Sequence, residues 1–142
     1  VPTHIFLQAG VGGLAGACAA LARKTWGDAP VIVVVEPELA PALVASIQAG
    51  KFVTAEGPIS NMGRLDCKEP SLIALKGLAR DADAFVTLTE DEGTAGADLA
   101  QAHGYPSSTS GAAGLAGLMV ARSALGIGAD ARVLCILSEG PA

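Results

Sequence analysis

The chain has 142 residues, 51% of them hydrophobic but only 4% aromatic, and nine basic against fourteen acidic side chains give a net charge of −5. Such a chain is expected to form one compact domain with a core of Ala, Val, Leu and Ile, and its acidic balance without a basic run argues against a nucleic-acid partner. No apolar stretch approaches the roughly 20 residues of a membrane span, and Val1 to Gly10 lacks the charged start of a signal peptide, so no membrane role and a cytosolic location are expected.

In chain order, a short apolar run from Ile5 to Leu7 ends in glycines at 10, 12, 13 and 16 and then becomes an alanine-rich helical pattern. This reads as a strand, a tight turn and a first helix from Gly10 to Thr25. Bare amides at such a turn, reinforced by the positive end of the helix dipole, make an anion site whose usual occupant is phosphate. A second strand, Val31 to Val35, ends in Glu36. Helices are expected from Glu38 to Ala49, closed by Gly50, and from Ser71 to Ala82, with Pro37 and Pro70 just ahead of them. A third strand spans Ala84 to Leu88. A fourth helix is expected from Glu92 to Ala102, closed by Gly104, and the acidic cluster Glu90, Asp91 and Glu92 at its start reads as capping and solubility. A fifth helix, from about Gly111 to Leu125, precedes a last strand, Val133 to Leu137. Alternating strands and helices imply an α/β fold, a parallel sheet of about four strands covered by helices, with residues 1–142 as a single unit.

Cys18, Cys67 and Cys135 are odd in number and far apart, and neither His4 nor His103 has a second histidine at ligand spacing. Neither a disulfide framework nor a metal site is expected. The glycine turn leaves two cofactor classes open. Gly10-x-Gly12-x-x-Ala15, with Glu36 after the next strand, follows the dinucleotide fingerprint in which an acidic residue meets the ribose. Alternatively, the amides hold a single phosphate group, as in pyridoxal-phosphate enzymes. The bland reading is that the glycines merely allow close helix–strand packing.

The polar stretch from Gly57 to Ser71 is rich in functional groups that a dinucleotide half does not need there, and loops of this content tend to carry function. With it, the resemblance becomes specific. Pro2 through Gly12, then Val34-Val35-Glu36-Pro37, then Met62 with Cys67 and Glu69-Pro70-Ser71, then Ser110-Gly111-Ala112 and finally Ser138-Glu139-Gly140 resemble, in order and over nearly the whole chain, the C-terminal part of a diaminopropionate ammonia-lyase. That family consists of fold type II pyridoxal-phosphate enzymes, the superfamily of tryptophan synthase β and threonine dehydratase. The resemblance implies the larger domain of such an enzyme, with pyridoxal 5'-phosphate as cofactor, a small amino acid as substrate and a homodimeric parent. It further implies that the amides of Gly10, Val11, Gly12, Gly13 and Leu14 hold the phosphate, that Ser138 hydrogen-bonds the pyridine nitrogen, and that Met62 and Gly63 line the cofactor face. Glu36 then becomes a strand-end residue with a capping role.

Where the family has small residues in Met-Ala-Gly-Leu-Ala-Cys-Gly-Glu-Pro, this chain has Met62-Gly63-Arg64-Leu65-Asp66-Cys67-Lys68-Glu69-Pro70. Arg64 could take a substrate carboxylate through two parallel hydrogen bonds and Asp66 could orient Arg64 or an amine. A surface or interface ion pair is the competing reading. Thr109 stands where related enzymes tend to have an acidic residue near the ring. The family's Schiff-base lysine and its Asn-containing loop lie in the N-terminal part, and Lys24, Lys51, Lys68 and Lys76 have no matching context. A start at Val1-Pro2 just before a buried strand suggests missing upstream sequence, and elimination is not expected from these residues alone. The function implied is a lyase releasing a 2-oxo acid and ammonia from an amino acid such as 2,3-diaminopropionate. Serine, threonine or hydroxyaspartate dehydration is close behind, and an NAD-binding module or a scaffold for a lysine-bearing partner chain remains as an alternative.

Overall fold

The computed structural model describes residues 1–142. Four strands, β1 (His4–Gln8), β2 (Val31–Pro37), β3 (Ala84–Leu88) and β4 (Val133–Cys135), form one sheet in the order β3-β2-β1-β4. Every pairing is parallel. The helices are α1 (Gly13–Trp26), α2 (Ala42–Ala49), α3 (Leu72–Asp81), α4 (Glu90–Ala102) and α5 (Ala113–Ala121), with a single 3₁₀ turn at Gly63–Leu65.

Successive side chains of a strand point to opposite faces, and this alternation divides the core in two. Ile5, Leu7, Ile32 and Val34 pack with Ala15, Ala19 and Ala22 of α1 and with Leu75 and Leu78 of α3. On the other face Phe6, Val33 and Val35 meet Leu88, Met62 and the alanines of α5. Burial on both faces is what parallel strands require, and it explains why β2 reads as five consecutive β-branched residues. Helix α5 lies close to the sheet because its glycines leave room: a Cβ on Gly117 would come within 2.5 Å of Val35 Cγ2.

The second helix differs from its expected bounds. Pro37 continues β2, paired with Leu88, and the helix begins only after Pro41. Glu36 sets that start. Its Oε2 accepts the Leu43 amide at 2.9 Å and its Oε1 the Val44 amide at 2.8 Å, so this carboxylate, 1% exposed, caps a helix that has no side-chain cap at its own N-cap residue. Ser71 caps α3, and Thr89 with Glu92 forms a capping box on α4.

Candidate functional site at the sheet switch point

In the order β3-β2-β1-β4 the direction of strand succession reverses beside β1, and ligands of open α/β sheets bind in the crevice beyond the strand C-termini at that reversal. Two of the expected elements emerge there: the glycine loop leaves the end of β1, and Ser138 follows β4 on the neighbouring strand.

The loop is built for exposed amides. Gly12 takes φ 103°, a left-handed conformation that a side chain resists, and its Cβ would fall 2.9 Å from Ala74 Cβ. Ser71 N donates to Val11 O at 2.8 Å and fastens the loop to the start of α3. Within the loop, Ala9 N pairs with Val35 O and Gly16 N with Gly12 O, whereas the amides of Gly10, Val11, Gly12, Gly13, Leu14 and Ala15 have no protein acceptor. Val11 and Leu14 are exposed, and a Cβ on Gly13 would meet nothing within 4 Å. Such a cradle fits a phosphate group, which would satisfy several donors at once at the positive end of α1.

Around this loop the segment from Ser60 to Lys68 is held from several sides. Glu90 accepts from Ser60 Oγ at 2.6 Å and from Asn61 N at 2.5 Å, while Thr109 Oγ1 donates to Asn61 O at 2.9 Å. The Arg64 amide donates to the buried Ser110 hydroxyl at 3.1 Å. The 3₁₀ turn rests directly on the glycine loop, since a Cβ on Gly10 would lie 2.9 Å from Arg64 O and 3.0 Å from Cys67 Sγ. Beside it opens a polar cleft of about 680 Å³, lined by Asn61, Gly63, Arg64, Asp98, Ser108 and Glu139 among others.

The structure corrects two of the expected side-chain roles. Met62 is 0% exposed and packs into the core, its Sδ 2.9 Å from where a Gly93 Cβ would sit, so only its backbone is available to a ligand, while Gly63 is exposed on the cleft. Asp66 neither reaches Arg64 nor awaits an amine: its Oδ1 lies 2.7 Å from Lys68 Nζ, and the ammonium holds its carboxyl below the usual carboxylate range. Lys68 also donates to Leu39 O at 2.7 Å and Pro58 O at 2.9 Å, which uses all three donors of the ammonium. Arg64 is the freer group. Its side chain is 82% exposed and its Nε lies 3.5 Å from Glu139 Oε2. Glu139 is held in turn by the hydroxyls of Ser107 and Ser108.

Sequence reasoning passed over Gln8, which is 2% exposed at the end of β1. Its Nε2 contacts Gly111 O at 3.0 Å, Ile136 O at 2.9 Å and Ser138 Oγ at 2.9 Å, tying three chain segments at the switch point. The available signal was a polar side chain at the inward position after Phe6 in an otherwise buried strand.

Glu36 also decides between the cofactor classes. Its oxygens are turned to the α2 amides and the side chain is buried, out of a ribose's reach, so the dinucleotide reading loses its acidic partner. The family model for "Pyridoxal-phosphate dependent enzyme" matches residues 1–139. The chain belongs to this family. Its relatives of known structure are fold type II enzymes. Diaminopropionate ammonia lyase from Escherichia coli superimposes with a TM-score of 0.84 at 28% identity when bound to a pyridoxal-phosphate reaction intermediate, and with 0.85 at 27% in complex with D-serine. Each comparison covers 99% of this chain and 39% or 38% of the other. A T.th. threonine deaminase gives a TM-score of 0.81 at 22% identity over 99% of this chain and 50% of that one, a likeness of fold. The chain thus spans half or less of the length of these enzymes. A comparison with curated protein sequences found no match. As a family member with a cradle of free amides, the chain has pyridoxal phosphate as its cofactor.

Proposed function

We propose that these residues form the larger, phosphate-holding domain of an ammonia-lyase that eliminates the β-substituent of a small amino acid, with 2,3-diaminopropionate as substrate, to give a 2-oxo acid and ammonia. Pyridoxal phosphate, when bound, supplies the electron sink that makes the substrate α-proton removable. The chain's own residues bind and orient. The amides from Gly10 to Leu14 grip the phosphate, Gly63 and the Met62 backbone border the ring, and Ser138 meets the ring nitrogen. Arg64, exposed at the rim of the cleft, receives the substrate carboxylate. The lysine that carries the cofactor and the groups that move the α-proton belong to sequence outside these 142 residues, and the whole enzyme is a homodimer.

The reading is carried by one observation: unpaired amides and Ser138 converge at the same sheet reversal in a chain of this family. The diaminopropionate assignment leans on the 28% identity to the Escherichia coli lyase over 99% of the chain.

The test is made on the full-length protein. A cofactor absorbance band that borohydride traps, with pyruvate released faster from diaminopropionate than from serine, is the expected result. Faster turnover of serine, threonine or hydroxyaspartate would reassign the substrate. Tight NAD binding with no pyridoxal absorbance would overturn the whole assignment.

A further inference from the structure

Glu90 belongs to the acidic cluster that opens α4, yet its side chain does not cap the helix. Thr89 and Glu92 do that between them, and Asp91 is exposed. Glu90 turns instead to the segment that leads into the 3₁₀ turn, where one oxygen takes the Ser60 hydroxyl at 2.6 Å and the other the Asn61 amide at 2.5 Å. Chemistry fixes the direction of each bond. A carboxylate accepts and a peptide N–H donates, so the single proton of Ser60 Oγ points to Glu90 and its lone pair is left for the Met62 amide, 3.1 Å away. Ser60 is 3% exposed and Met62 0%, so neither group can turn to solvent instead.

Glu90, Gly93 and Thr94 share one face of α4 at the spacing i, i+3, i+4, and all three meet this segment. Gly93 leaves room for Met62, whose Sδ lies 2.9 Å from where its Cβ would be, and the Thr94 hydroxyl is 3.4 Å from Asn61 Nδ2. From the other side Thr109 Oγ1 donates to Asn61 O at 2.9 Å, and Met62 O accepts the Leu65 amide at 2.8 Å. What remains open is the Gly63 amide, which has no protein acceptor, on a residue exposed at the polar cleft. We infer that Glu90 is a positioning residue: through the Ser60 hydroxyl it sets the Met62–Gly63 peptide and so holds the free Gly63 N–H at the cleft. Under the proposed function this backbone borders the cofactor ring, and on that reading Glu90 is the group that keeps the border in place without touching the ligand.

Glu90→Ala and Glu92→Ala form a matched pair, since each removes one negative charge from the first turn of α4 and only the first cuts the relay through Ser60. Both are made in the full-length protein. In its cofactor-free form, hydrogen exchange at the Asn61 and Met62 amides should quicken about tenfold in Glu90→Ala and much less in Glu92→Ala. After loading with pyridoxal phosphate, Glu90→Ala should bind the cofactor about tenfold more weakly and reduce the visible circular dichroism of the bound form. Glu92→Ala should lower the melting temperature while keeping affinity and dichroism at the wild-type level. Ser60→Ala cuts the relay at its middle and should match Glu90→Ala, and the double variant should bind no more weakly than the weaker single one. Unchanged exchange or an unchanged cofactor band in Glu90→Ala overturns the inference, and so do equal changes in Glu92→Ala, which would make loosening of the helix the cause. If Glu90→Ala does not fold, Glu90→Gln, which keeps one of the two acceptors, decides by the same readouts. A wild-type protein without any cofactor band would instead bring down the proposed function itself, an outcome on which the exchange measurement does not depend.

Discussion

Glu36 accepts the Val44 amide at 2.8 Å from inside the domain, which makes a buried carboxyl the N-terminal cap of α2. Burial pushes this carboxyl up from 4.5 to about 7, against the downward pull of its bonds to Leu43 and Val44. The folded state therefore holds the proton more tightly than the unfolded one. The resulting stability is fully present below pH 4.5 and is lost as the pH rises through about 7.

Glu36→Gln removes this titration while keeping one oxygen for one amide. Unfolding free energies of the wild type and the variant should differ most in the wild type's favour near pH 4.5, and the difference should narrow toward about pH 8, by up to about 3 kcal/mol. A difference that stays constant over this range would mean that the carboxyl titrates normally.

Lys68 serves as a latch. Replacing it with Met strands two carbonyl oxygens and the Asp66 carboxylate, a loss of about 1–3 kcal/mol, and should open the segment from Gly57 to Lys68 to proteases. Asp66→Asn should weaken the same segment to a smaller degree and leave substrate preference alone. Because the Asp66 carboxyl is held low, its contribution persists above the ordinary carboxylate range and disappears only in acid, as the pH falls through its folded value. Hydrogen exchange across residues 57–68, measured in both variants, checks the ranking.

Gly13 separates folding from phosphate binding. Its backbone is helical, space around its Cβ position is open, and an acidic residue in the first turn of a helix is favourable by about 0.3–1 kcal/mol. The same charge repels a phosphate held by the neighbouring amides. Gly13→Asp should thus keep or raise the melting temperature of the cofactor-free protein while weakening pyridoxal phosphate affinity at least about tenfold. Unchanged affinity would remove the phosphate from this loop.

Local pattern made the third strand legible to the residue, since Ala84 to Leu88 is a compact apolar run between a helix and a capping box. Boundaries shifted where tertiary contacts outweigh local preference. Pro37 was free to extend β2 because its sheet partner is Leu88, and β4 ends at Cys135, not Leu137, as a three-residue strand at the edge of the sheet. Of the candidate site, the glycine turn with its free amides was legible, because residue type marks it. The ties that hold it were not. Gln8 meets Ser138 across 130 positions and Glu90 meets Ser60 across 30, and no local spacing announces contacts that only the parallel topology creates. Arg64 and Asp66 looked like partners because they are close in sequence, yet Lys68 captures Asp66 and Glu139 faces Arg64.

Under the proposed function, Arg64 is the group on which substrate choice turns. Its 3.5 Å approach to Glu139 is loose for a charge-assisted hydrogen bond, and its exposure makes that ion pair worth little to the fold. The side chain can therefore exchange Glu139 for a substrate carboxylate at small cost in stability. Arg64→Ala should raise KM by about 10- to 100-fold, the loss of a hydrogen bond between charged groups, and leave the melting temperature and cofactor affinity near the wild type. Arg64→Lys should restore only part of the loss, because a point charge does not reproduce a bidentate fork. Glu139→Gln should lower KM, since it frees Arg64 from its competitor. Steady-state kinetics on diaminopropionate with parallel cofactor titrations distinguish the cases, and a fall in cofactor affinity equal to the fall in kcat/KM would make Arg64 a structural residue.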